Sequence, residues 1–148
     1  MYKHILLPTD GSDLSAKAIK VALQLAKSIG AKITAFNVTP AFPYVALEDS
    51  SIRIPASIKK QFHEASAEGA GRLLDKVKML ATAEGVDCSV VSAHGAAPYD
   101  AIIKQARKSK CDLIVMASHG RKGLAGILIG SETAKVLTHS AIPVLVVR

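Results

Sequence analysis

Apolar and polar positions along this chain switch repeatedly between two periods. Tyr2–Leu7 is a short apolar run closed by Pro8-Thr9-Asp10-Gly11, which reads as a buried strand followed by a turn. Ser12 or Asp13 then caps a helix that carries Ile19, Leu23 and Ala26 on one face and stops at Gly30. Lys32–Val38 is the second strand. Thr39–Pro55 holds three prolines and no clear period, so it reads as a long loop. A long helix is expected from about Ala56 to Glu84, with Ile58, Phe62, Ala65, Leu73, Val77 and Leu80 near one stripe. Gly69 and Gly71 weaken its middle, where a kink or close packing is expected, and Gly85 ends it. Asp87–Ala93 follows as a third strand, and Pro98 opens a helix reaching about Lys108. Asp112–Ala117 is a continuous apolar run suited to the middle of a parallel sheet. A glycine-rich loop leads into a helix from Ser131 to about His139, and Ile142-Pro143 introduces a last strand, Val144–Val147.

Strands and helices therefore alternate from end to end, which predicts one α/β domain over residues 1–148, a parallel sheet with helices on both faces. With 49% hydrophobic and 21% charged residues, the chain has enough apolar surface for a full core. No apolar run approaches the ~20 residues of a membrane span. Only Ile5, Leu6 and Leu7 separate His4 from Pro8, so no signal peptide is expected and the expected location is cytoplasmic. Cys88 and Cys111 are too few for a disulfide framework or a zinc site, and beside core strands a free thiol behaves as a small hydrophobe.

A formal net charge of +7 favours anionic partners. The basic residues are dispersed, and three tyrosines and three phenylalanines do not interleave with them, so a nucleic-acid surface is not expected. A smaller anion fits better. In an open α/β sheet ligands sit at the carboxyl ends of strands where the strand order reverses. The loops there are Pro8–Ser12 and the stretch from Ala117-Ser118-His119-Gly120 to Gly130-Ser131-Glu132-Thr133. Gly120, Gly123, Gly126 and Gly130 allow backbone amides to approach a ligand, and Ser131 opens a helix whose amino end favours phosphate. The Ser131 and Thr133 hydroxyls, with Arg121 and Lys122, are further candidates for the same anion. A flexible surface loop with a capped helix would give the same glycine count. Neither the P-loop pattern nor G-x-G-x-x-G is present.

Ile114-Val115-Met116-Ala117-Ser118-His119-Gly120, a nine-residue spacer, Gly130-Ser131, the closing Pro143–Val147 and the opening Ile5–Ser12 together resemble the universal stress protein family over essentially the whole chain. The resemblance implies a Rossmann-like fold of the adenine nucleotide alpha hydrolase kind: an open five-stranded parallel sheet in order 3-2-1-4-5 with helices on both faces. It also implies ATP, with Mg²⁺ if the nucleotide brings it, and a homodimer formed through the last strand. The family's ATP-binding branch carries G-x2-G-x9-G-[S/T]. Gly120, Gly130 and Ser131 match it, and Ala117 stands at the first position. With ordinary strand dihedrals the extra methyl is a small change; with positive φ it would be damaging. By the same resemblance Pro8, Thr9 and Asp10 border the adenosine, with Asp10 near ribose or base. Val38 and Met116 wall the adenine. Gly120, Gly130, Ser131 and Thr133 hold the phosphates, and Ala117, His119, Arg121 and Glu132 complete the expected nucleotide-binding set. No nucleophile–base pair or metal-ligand set is legible, and His119 reads as a structural turn residue rather than a catalyst. Three readings stay open: a nucleotide-binding regulatory module acting in stress response, a stress protein of the same fold without nucleotide, and a slow ATPase or phosphotransfer enzyme.

Overall fold

The computed structural model describes residues 1–42, 54–120 and 129–148. The elements are β1 (His4–Pro8), α1 (Asp13–Ile29), β2 (Lys32–Pro40), α2 (Ala56–Ala83), β3 (Cys88–Gly95), α3 (Pro98–Lys108), β4 (Leu113–Ala117), α4 (Ser131–His139) and β5 (Val144–Val147). All strand pairs are parallel, and the sheet order is β3-β2-β1-β4-β5, matching the order that the resemblance implies. Strand order therefore reverses between β1 and β4.

Alternation within each strand divides the core into two layers. Ile5, Leu7, Ile33, Ala35, Leu113 and Val115 point to the side of α1 and α2, where they meet Leu23, Leu74 and Val77. Leu6, Phe36, Ile114 and Met116 point the other way, against Ile102, Ala106 and Val136 of α3 and α4. Both faces of β1 and β4 are thus covered, which explains why these strands read as unbroken apolar runs.

The helix ends follow local chemistry. Ser12 caps α1 by accepting from the Ser15 amide at 3.2 Å, and Gly30 ends it in a left-handed conformation at φ 67°. Three expectations need correction. β2 runs to Pro40 rather than Val38, because β3 continues opposite it to pair Thr39 with His94 and Pro40 with Gly95. The buried stripe of α2 is Ala70, Leu74, Val77 and Ala81, while Ile58 and Leu80 are exposed. Alanine is a weak hydrophobe in a periodicity count, yet it lets a helix lie close to a sheet. The expected close packing at Gly69 and Gly71 is absent as well: beyond the helix's own local backbone, no atom of the described residues lies within 4 Å of an added β-carbon at either, and α2 runs as one helix.

Polar groups also tie the amino ends of the strands together. Asp112 accepts from the Lys3 amide at 2.9 Å and the His4 amide at 2.9 Å. Burial pulls its carboxyl upward, but these backbone donors outweigh it and hold the group below the usual aspartate value. Beside it, buried His4 meets Thr34 Oγ1 at 2.8 Å through Nε2, and Thr34 meets Ser89 Oγ at 2.9 Å. Burial, with Lys32 adding to it, lowers the His4 pKa. The unfolded chain therefore takes up a proton first as pH falls. The stability contributed by neutral His4 is complete above about pH 6.5 and declines as pH drops through the lower folded value. Urea denaturation at pH 7.5 and 5.5 is expected to show this loss, and His4→Gln is expected to flatten it. An unchanged slope in that variant would assign the loss to another group. The corresponding contribution of Asp112 starts to fade only below about pH 4.

Candidate functional site

The ladder between β1 and β4 is short. It pairs Ile5 with Leu113 and Leu6 with Ile114, although β1 continues to Pro8 and β4 to Ala117. Beyond those pairs each strand follows its outer neighbour. The Thr9 amide donates to the Phe36 carbonyl of β2 at 2.9 Å, and the Ser118 amide donates to the Val147 carbonyl of β5 at 2.7 Å. The two strands part at the carboxyl edge, at the switch in strand order where an open α/β sheet has its ligand crevice.

On the β1 side the loop is knotted by its own side chains. Thr9 is buried, and its hydroxyl donates to Ser15 Oγ at 3.0 Å, which in turn donates to the Ser12 carbonyl at 2.9 Å. Asn37 Nδ2, also buried, donates to the Thr9 carbonyl at 2.8 Å. Asp10 Oδ1 accepts from the Ser12 amide at 3.0 Å, and Gly11 takes φ 78° to make the turn. Pro8 and Asp10 are partly exposed at the rim. Thr9 is therefore placed to hold the loop's shape, and Asp10 to border the crevice.

On the β4 side, Ala117 lies within the strand, opposite Val147, and has no positive φ. Its methyl carries no backbone strain, which answers the conformational half of the question raised by the missing glycine. Gly120 comes so close to Asp10 that a β-carbon there would overlap Oδ2 and stand 3.4 Å from Cγ. Gly130 lies under His119: a β-carbon would sit 2.9 Å from His119 Cβ and 3.1 Å from its Cα. The Gly130 amide donates to the Ser118 carbonyl at 2.7 Å, locking this approach. Gly130 is also the N-cap residue of α4 and offers no side chain to cap it. Among the described residues, no acceptor serves the amides of Ser131, Glu132 and Thr133, and the Ser131 side chain is exposed.

Other residues of the expected set have different surroundings. The Thr133 hydroxyl, expected to reach phosphate oxygens, is buried and donates to the Ala117 carbonyl at 3.0 Å, anchoring α4 to β4. Glu132 points to α3, accepting from the Tyr99 amide at 2.9 Å and pairing with Lys135 at 2.9 Å. It does for α3 what Ala97, the N-cap residue, cannot. His119 contacts Ser118 Oγ at 3.2 Å through Nδ1. Met116 is buried and Val38 half-buried in the α3/α4 core layer, on one side of the sheet. Arg121, Lys122, Gly123 and Gly126 lie outside the described residues. Sequence reasoning assigns no role to Asn37 or Ser118. A lone amide side chain within the apolar second strand is the available signal for Asn37, while Ser118 acts through its backbone, which no side-chain pattern reveals.

The thiols lie away from this edge. Burial pushes Cys111 up to about 11 and also raises Cys88, so both are protonated near neutral pH. No helix among the described residues is long and apolar enough to cross a membrane.

Comparison with known proteins agrees with this architecture. The profile of the Universal stress protein family matches residues 1–148. The universal stress protein MJ0531 of Methanocaldococcus jannaschii is 39% identical over 150 residues, covering 100% of this chain and 83% of that one. Universal stress protein UspA from Lactobacillus plantarum superposes with a TM-score of 0.83 at 25% identity, over 99% of this chain and 98% of that one. A universal stress protein solved in complex with cAMP gives a TM-score of 0.71 at 31% identity, over 99% and 97%. Matched along its whole length in sequence and in fold, the chain belongs to the universal stress protein family.

Proposed function

We propose that the chain is a single-domain adenine-nucleotide-binding regulatory module with ATP as its ligand. The observation that carries this reading is the parting of the β1 and β4 exits after two ladder pairs, with Gly120 against the Asp10 carboxylate and Gly130 against His119. Such close approaches hold backbone amides against a ligand. The first amides of α4, which no acceptor among the described residues serves, and the Ser131 hydroxyl supply donors for phosphate oxygens at a positive helix end. Asp10 borders the ribose or base, and Val38 and Met116 provide the apolar wall for adenine. The side-chain bonds of Thr133, Asn37 and Thr9 hold this frame in shape, with Thr9 facing the adenosine and Thr133 at the phosphate end. Mg²⁺, if present, arrives on the phosphates.

The cAMP complex of a relative supports an adenine nucleotide as the ligand class. Occupancy of the site shifts the shape or assembly of a homodimer, formed through β5, whose Leu145 is 39% exposed. The module acts in the cytoplasm, in response to stress. The hydroxyl that meets an imidazole here, Ser118 Oγ against His119 Nδ1, belongs to a buried side chain that knots the loop, so binding rather than turnover is the function assigned.

Equilibrium titration of nucleotide-free protein with ATP is expected to show saturable binding of one nucleotide per chain. Absence of saturation at about 5 mM ATP, a binding free energy weaker than roughly −3 kcal/mol, would overturn the reading.

A further inference from the structure

We propose that His63 and His94 form a binding site for a late first-row divalent cation, of which Zn²⁺ is the test case. The two residues belong to different elements, α2 and β3, and lie on the β2–β3 arm of the carboxyl edge, away from the β1–β4 crevice. Their ring centroids are 4.6 Å apart, with planes at 81°. Two imidazoles sharing one ion, each with a metal–nitrogen bond of about 2.0–2.1 Å, have centroids roughly 4.5–5.3 Å apart for cis or tetrahedral angles. The centroid separation of this pair falls within that range. Imidazole nitrogen selects zinc, copper and nickel over magnesium and calcium.

The hydrogen bonds around His94 determine which nitrogen is available. Buried Thr39 donates its hydroxyl proton to the Ala93 carbonyl at 3.2 Å. With that proton committed, the Thr39 oxygen accepts from His94 Nδ1, also at 3.2 Å. Nδ1 thus carries the hydrogen and Nε2 the lone pair, the form a metal takes. A backbone-anchored hydroxyl in this role is the outer-shell support that metal-binding histidines characteristically have. His63 has no hydrogen bond among the described residues, is exposed, and can turn its ring to present a nitrogen. Phe62 stands edge-on to His63 at 5.8 Å and to Phe42 at 5.3 Å, giving the pair an apolar backing. Both histidines are exposed, so an ion has free entry and water completes its coordination.

Calorimetric titration of tag-free, nucleotide-free protein with Zn²⁺ tests the proposal. One ion per chain is expected, with affinity reduced at least about tenfold in His63→Ala and in His94→Ala. His139→Ala, altering another exposed histidine, should bind as the parent does. Thr39→Val is expected to weaken binding about tenfold while far-UV circular dichroism stays unchanged. Zn²⁺ should perturb the imidazole nitrogen resonances of His63 and His94 ahead of those of His139. No saturable binding at about 1 mM Zn²⁺, or affinity unchanged in either histidine variant, would overturn the site. Unchanged affinity in a folded Thr39→Val would overturn the assignment of Nε2 as the ligand atom.

Discussion

Replacing Gly130 by valine is expected to weaken ATP binding roughly 10- to 100-fold while leaving the domain folded. Gly130 has φ −71° and ψ 158°, values any residue adopts, so the substitution carries no dihedral penalty. The obstacle is space. A β-carbon would come within 2.9 Å of His119 Cβ and 3.1 Å of its Cα, and a backbone atom cannot swing aside as a side-chain tip can. The Gly130–Ser118 hydrogen bond at 2.7 Å must then lengthen, moving the amino end of α4 away from Gly120. Overpacking of this kind costs about 1–3 kcal/mol, and each 1.4 kcal/mol diverted from binding is about tenfold in affinity. Gly130→Ala should show a smaller loss in the same direction. Gly120→Ala meets the end of the Asp10 side chain rather than backbone, so it should disturb the ribose side of the site and cost less overall. Calorimetric titration with ATP, alongside thermal melts, distinguishes these outcomes. Parent-like affinity in a folded Gly130→Val protein would place the phosphates elsewhere.

Phe36→Ala is expected to destabilise the domain by about 3–5 kcal/mol, the upper range for truncating a single core side chain. Phe36 is 1% exposed and sits at the centre of the layer between β2 and the α3/α4 pair, with Leu6, Ile102 and Ile114. Removing the ring leaves a cavity that two helices and a twisted sheet cannot collapse to fill. Because a domain of this size has a total stability of about 5–15 kcal/mol, the loss should lower the melting temperature by roughly 10 °C or more. Urea denaturation gives the free energy directly. Leu145→Ala on the exposed side of β5 is the contrast, expected to change monomer stability by less than about 1 kcal/mol. A Phe36→Ala loss as small as that would mean the layer repacks freely, contrary to its burial.

Much of this molecule is legible as a string. The apolar runs of β1 and β4, the Gly30 stop and the helix opening at Ser131 follow from periodicity and capping chemistry, because those signals arise within a few residues of chain. The α2 stripe does not. Its contact face uses Ala70 and Ala81, and whether an alanine faces a sheet or water depends on how closely the helix lies against that sheet. The end of β2 escapes the sequence for a related reason: Thr39 and Pro40 look like loop residues until β3 runs alongside them.

The candidate site divides in the same way. Sequence spacing determined the element order, the apolar strands and the glycines at positions 120 and 130, since backbone preferences and hydrophobic periods are local properties. Only the tertiary structure decided what those glycines accommodate. Gly120 meets Asp10 from the opposite end of the chain, and Gly130 meets His119 because the Ser118 carbonyl ties the loop's two ends together. It likewise showed that the side chains of Thr133 and Glu132 also anchor β4 and α3. The direction in which a hydroxyl or carboxylate donates or accepts is set by whichever buried backbone group lacks a partner, and that group is known only once the strands have parted and the helices have packed.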